Sequence, residues 1–194
     1  MATWDFPAAL TPQLWTWKSV KAGVQFRSPF NGAVETVGFP GARWGISMTL
    51  PPSTASTGGQ AEAFFALLSG GVERVRMGHL RRPVPTGTMR GTPTLSASAA
   101  RGAQSVAIAT TGTLNAGDLF KIGGQLFMAA ADCTPSAGVL TVPLVQSVRV
   151  ALSSGASVSW DRPTVDFFMP AMTSAASYRP GAMDGIAVEL EEAF

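Results

Sequence analysis

With 194 residues, 46% of them hydrophobic and only 13% charged, the chain is long enough to bury a core and too apolar to be disordered. Its net charge of +2 is too small to mark a nucleic-acid binder by itself. One cysteine, Cys133, and one histidine, His79, exclude an intrachain disulfide, a thiolate zinc site and any centre that needs two imidazoles.

The charged share is well below the roughly 25–35% that covers an ordinary free surface. Either partner subunits cover much of this surface, or the chain is a small Ala- and Gly-rich soluble protein. The N-terminus, Met1-Ala2-Thr3-Trp4-Asp5-Phe6, has neither a basic region nor an apolar run, and reads as no secretory signal. No uncharged apolar run reaches about 18 residues, so no membrane span is expected.

Residues 1–30 crowd Trp4, Phe6, Trp15, Trp17, Phe26 and Phe30 between Pro7, Pro12 and Pro29. Such aromatics either pack in an N-terminal core strand or anchor a neighbouring chain, which makes Trp4, Trp15 and Trp17 candidates for a subunit interface. Asn31-Gly32 is a strong turn signal and predicts a hairpin of residues 24–30 with 33–39. After Pro40-Gly41, the alternation of Trp44, Ile46, Met48 and Leu50 is that of a half-buried strand over 43–50. Pro51-Pro52 ends it. Residues 60–68, rich in Ala, Phe and Leu and closed by Gly70-Gly71, form the one predicted helix.

Residues 72–80 read as a strand, and 81–91 as an extended connector shaped by Pro83 and Pro85. Six arginines and no acid lie between Arg74 and Arg101. From 94 to 160 the composition turns to Ala, Ser, Thr, Gly and Val, with short strands expected at 105–110, 119–122, 125–130, 139–142 and 157–160. The regular turn spacing suggests a small barrel or sandwich, with Gly123-Gly124 as a hairpin turn and 144–152 as a segment crossing one end. The final stretch, 161–194, holds six acids against Arg162 and Arg179, with strands over 165–169 and 186–191 and a loop over 172–180. Its terminal strand needs partners, and residues 20–80 are the natural source.

No catalytic constellation emerges, and the chain reads as a non-enzyme without cofactor or metal. His79 stands alone, no phosphate-binding glycine loop is present, and Asp161 and Asp166 fall on opposite faces of a strand. Asp118, after Gly117, reads as a turn residue that bonds nearby amides, and Cys133 as a small apolar residue. The basic tract of Arg74, Arg76, Arg81, Arg82 and Arg90 has three readings. It pairs within the chain, it meets the acidic tract (Glu189, Glu191, Glu192) of an adjacent copy in a head-to-tail ring, or it contacts phosphates. The third lacks the interleaved aromatics that stack bases, so direct nucleic-acid binding is not expected.

The pattern over most of the chain resembles the distal tail protein family of long-tailed bacteriophages. The resemblance rests on the strand 43–50 running into Pro51-Pro52, the helix at 60–68 ending in Gly-Gly, the arginine-rich connector, the hairpin Gly117-Asp-Leu-Phe-Lys-Ile-Gly-Gly-Gln-Leu-Phe127, and Pro163 with the return strand. It implies a mainly β, β-rich α+β fold: a β-sandwich ring domain with one short helix (1–92 and 162–194), carrying an inserted OB-like or galectin-like barrel (94–160). It further implies a hexameric ring in the virion tail, assembled in the host cytoplasm, that joins the tail tube protein to hub, tip or fibre proteins. In some relatives the outer domain bears on carbohydrate or receptor-binding proteins, for which this barrel offers Trp160 and Phe120 as aromatic platforms. A carbohydrate- or receptor-binding module, or a head–tail or tail-terminator adaptor, are the other expectations.

Overall fold

The computed structural model describes residues 1–193 and is mainly β, with one helix among the described residues. In chain order, β1 (Thr3–Asp5), β2 (Leu14–Arg27), β3 (Val34–Thr49), helix α1 (Ala55–Leu68) and β4 (Arg74–Gly78) come first. They are followed by β5 (Thr94–Leu95), β6 (Ser105–Ala109), β7 (Leu119–Ile122), β8 (Gln125–Met128), β9 (Val139–Pro143) and β10 (Val158–Ser159). The chain closes with β11 (Thr164–Phe168), β12 (Tyr178–Arg179), β13 (Ala182–Met183) and β14 (Ala187–Glu192).

The chain divides into two compact units, the first from residues 1–19, 44–77 and 165 onward, the second from 20–43 and 78–164. The second unit is therefore larger than the expected insertion of 94–160. It takes in residues 78–92, with the connector 81–91, and the two-stranded stretch 20–43, which the sequence grouped with the first.

The first unit is built on the sheet β1-β4-β11-β14-β3-β2. The terminal strand finds the partners it needed: β14 lies antiparallel to β3, with Leu190 opposite Ile46, and antiparallel to β11. Trp44, Ile46, Met48, Val75, Met77, Val165, Phe167, Val188 and Leu190 recur every second residue on their strands and are all buried. Each such side chain stabilises the fold by about 1.5–3 kcal/mol relative to exposure. Helix α1 starts five residues earlier than its predicted start at 60. The Ser-Thr-Gly-Gly stretch is helical because Gly58 lets that turn lie against Met183, whose Cβ is 2.8 Å from where a Cβ on Gly58 would sit. The end of the expected loop 172–180 enters a short hairpin, β12–β13, over residues 178–183.

Two further differences concern β1 and β3. Residues 3–5 pair in parallel with β4, held by Glu73, whose carboxylate accepts from the Ala2 amide at 2.9 Å and the Trp4 indole at 3.2 Å. Residues 34–49 run as one strand through Pro40-Gly41, because the hydrogen-bonded partner strand β2 is nearly as long and holds them extended.

The second unit contains β10-β7-β8 and β5-β6-β9 around a core that includes Phe120, Phe127, Leu95, Ile108, Leu140 and Val158. The expected hairpin appears as β7 and β8 in register, Phe120 opposite Phe127, turning at Gly123-Gly124 with positive φ at both. Among the described residues the continuous ladder of a closed barrel is absent. Isolated bridges, Thr94–Ser157 and Ala129–Leu144, link the edges of the two sheets. The segment after β9 crosses irregularly, as expected, and a buried amide fastens it. Gln125 Oε1 accepts from the amides of Arg149 (2.8 Å) and Val150 (3.1 Å), and its Nε2 donates to Val150 O (2.9 Å).

Candidate functional site

The alternation of a strand separates the acidic residues that the sequence grouped. Glu189 is exposed and pairs with Lys18 at 2.7 Å, and Glu191 lies on the same face of β14. Glu192 points inward, 1% exposed, and its Oε2 accepts from the Trp44 amide at 2.9 Å, one position beyond the last ladder pair of β14 and β3. It is a core group rather than a surface one.

The arginines likewise fall into two sets. In the first unit, Arg74 lies over the Phe168 ring and Arg76 pairs with Asp166 at 3.5 Å, contacts between neighbouring strands β4 and β11. In the second, Arg82 donates to Gly117 O at 2.9 Å, and Arg90 donates to Met89 O and Gly87 O and stacks on Trp160 at 5.0 Å. Arg81 is exposed. Intrachain contacts thus engage four of the five candidates, of which Arg76 alone is shown paired with an acid of the 161–194 tract. His79 sits at the start of the connector, where Nδ1 accepts the amides of Arg81 (3.2 Å) and Arg82 (3.1 Å). Burial, and then the Arg82 charge, lower its pKa.

The connector is locked by Asp118, only 4% exposed. One carboxylate oxygen accepts from Thr86 N (2.7 Å) and Oγ1 (2.9 Å), the other from Gly87 N (2.9 Å) and Asn115 N (2.8 Å). Burial works to raise its pKa, but the donors outweigh it and the net shift is downward. Such a fully bonded carboxylate is a fastener and has no free lone-pair site for chemistry. The sequence read Asp118 as a turn residue; the bonds to Thr86 and Gly87, about thirty positions away, were beyond any local pattern. Cys133 is buried, donates to Ala131 O, and has its pKa raised by burial and then by Asp132, which keeps it a thiol.

Neither aromatic platform is open. Phe120 is wholly buried, and Trp160 packs on the core while Arg90 lies over its ring. Among the described residues no three His, Cys, Asp or Glu side chains cluster as a metal site, and no helix is long and apolar enough to cross a membrane. A cleft of about 490 Å³ in the second unit is lined by Lys21, Phe39, Gln104, Gln146 and Ser147, among others. Lys21 is the one charged group in its lining, which supplies no acid, base or nucleophile pair.

The three candidate tryptophans also differ in role. Trp15 and Trp17 stack at 6.2 Å, and Trp17 packs on Trp44 (5.3 Å) and Phe167 (5.9 Å), so they belong to an aromatic cluster of the first unit. Trp4 is half-exposed.

The two-stranded arm, residues 20–39, carries exposed apolar side chains, although Lys21 and Phe39 at its base also line the cleft. Ser28 N–H donates to Ala33 O at 2.8 Å, and counting back from this pair sets Val24 opposite Val37 and Ala22 opposite Phe39. Val20, Val24 and Phe26 therefore share one face with Val37 and Phe39, and all five are exposed. Phe30 at the tip is 98% exposed. Composition hinted at this with its scarcity of charge; the sequence located the hairpin but not its bare face. No protein-family model matches the sequence, and the search of curated proteins returns no match.

Proposed function

We propose that this chain is a structural virion protein of a phage tail, a non-enzyme that assembles into a ring at the distal tail and joins the tube to hub, tip or fibre proteins. The observation that carries the reading is the arm. A two-stranded hairpin is at best marginally stable alone in water, and contiguous apolar surface of this kind marks an interaction site. A neighbouring copy is the occupant that the rest of the chain supports, because a face of one protomer that fits a different face of the next builds a head-to-tail ring. The acids Glu189 and Glu191 on the sheet of the first unit add a charged surface for such contacts. The test is solution mass by analytical ultracentrifugation. Self-association at high micromolar concentration, or assembly on adding tail-tube or hub protein, is expected. A strict monomer under both conditions would sink the reading.

A further inference from the structure

Asn31 and Gly32 form the exposed tip of the arm, between the ends of β2 and β3. Within this turn the Ala33 amide donates to Asn31 Oδ1 at 3.0 Å, an Asx-turn. The bond holds the carboxamide oxygen on the Ala33 amide, across the Gly32 residue. It also polarises the side-chain carbonyl with the same N–H that would stabilise an oxyanion there. Gly32, at φ +70°, has no Cβ to shield its nitrogen, and nothing lies within 4 Å of where one would be. Its N–H donates to Ser28 O at 3.1 Å, a bond at the exposed tip that must open before the proton can leave.

We propose that Asn31 is a site of self-modification, closing on Gly32 to a succinimide that opens to aspartate and isoaspartate. The Gly32 amide loses its proton to solvent base, and the nitrogen lone pair forms a bond to Asn31 Cγ. The Cγ–Nδ2 bond breaks, and Nδ2 gains a proton and departs as ammonia. Water then adds to either ring carbonyl and opens the ring. No oxidant, reductant or cofactor enters; the co-reactant is water.

The other asparagine of the chain is an internal contrast. Asn115 precedes Ala116, its Nδ2 donates to Thr86 Oγ1 at 3.1 Å, and its own amide is bound by Asp118 at 2.8 Å. The first bond holds the carboxamide, the Ala116 nitrogen that would attack it is itself tied to a carboxylate, its N–H donating to Asp132 Oδ1 at 2.7 Å, and the alanine Cβ screens it. Each conversion at Asn31 places a carboxylate beside Phe30 at the tip of an apolar arm. Resting on the assembly reading above, that charge weakens association, so the arm carries a clock that limits how long a free protomer stays competent.

The experiment holds the full chain at mildly alkaline pH and follows the tryptic peptides 28–43 and 102–121 by mass spectrometry, with isoaspartyl methyltransferase labelling. Amide-to-acid conversion in 28–43 is expected to rise with pH and to run at least about tenfold ahead of 102–121. Asn31→Ser should abolish both conversion and labelling of 28–43, and Gly32→Ala should slow them by about tenfold or more. Equal rates in the two peptides, or a native chain that stays unconverted while the excised peptide 28–43 converts, would overturn the proposal. Asn31→Asp then reads the consequence: weaker self-association than the parent is expected, and unchanged association overturns the link to assembly. The mass readout does not depend on assembly, so a monomeric parent sinks the ring reading and leaves the modification standing.

Discussion

A carboxylate as enclosed as that of Asp118 is tolerable only because every oxygen is engaged by a donor. Asp118→Asn replaces one acceptor oxygen by an amide that faces donors. We expect a loss of about 2–3 kcal/mol in urea unfolding, together with faster hydrogen exchange at Thr86 and Gly87. The pH dependence follows from two depressed groups. Asp118 has its folded pKa below the unfolded value, so its contribution is present above about pH 4 and lost as pH falls through the folded value. His79 is also lowered, by burial and then Arg82, so its neutral form is favoured in the fold. Its contribution is present above about pH 6.5 and declines below that, as the unfolded imidazole takes up protons first. The urea midpoint should therefore fall in two steps on acidification, and His79→Gln should remove the upper one.

At the scale of elements, the second unit is held by contacts that reach across irregular chain. Gln125 is the clearest case, since one side-chain amide satisfies three backbone groups of the crossing segment. Gln125→Leu fits the apolar surroundings but strands those groups, and should cost about 2–3 kcal/mol with loss of exchange protection at Arg149 and Val150. The glycine pair Gly87 and Gly112 has the same logic in backbone form: a Cβ on Gly87 would strike Thr113 O, and one on Gly112 would strike Met89 Cα. This close approach explains why the connector belongs with the second unit. Arg90 on Trp160 and Arg82 on Gly117 O secure it further. The sequence showed two prolines and several arginines there and pointed to an extended segment; the structure turns at 80–81 and bends at 83–84 and 86–87. Which body it joined depended on partners 25 to 35 residues away, as in the pairs of Thr88 with Thr113 and Arg82 with Gly117.

At the scale of the molecule, the arm is the feature a free monomer has least reason to keep. Val24→Thr with Phe26→Ser replaces exposed apolar surface by polar groups that touch little else in the protomer. Such surface changes usually alter stability by no more than about 0.5 kcal/mol. Sedimentation should show association weakened while the protomer's urea midpoint holds. Association equal to that of the parent would remove the arm as the contact surface.

Strand period, turn chemistry and the scarcity of charge were sufficient to read the second half of β3, the β7–β8 hairpin, the terminal strand and the β-rich class, because each is written in neighbouring residues. Asn31-Gly32 announced its turn in the same way. What the sequence could not hold is anything decided by residues far apart in the chain. The parallel β1 edge, the inward turn of Glu192, the four donors on Asp118 and the grouping of 20–43 with 78–164 all arise when distant segments meet. The bare face of the arm belongs to the same class, since exposure is a property of the folded surface and no local pattern of valine and phenylalanine states which side is left uncovered.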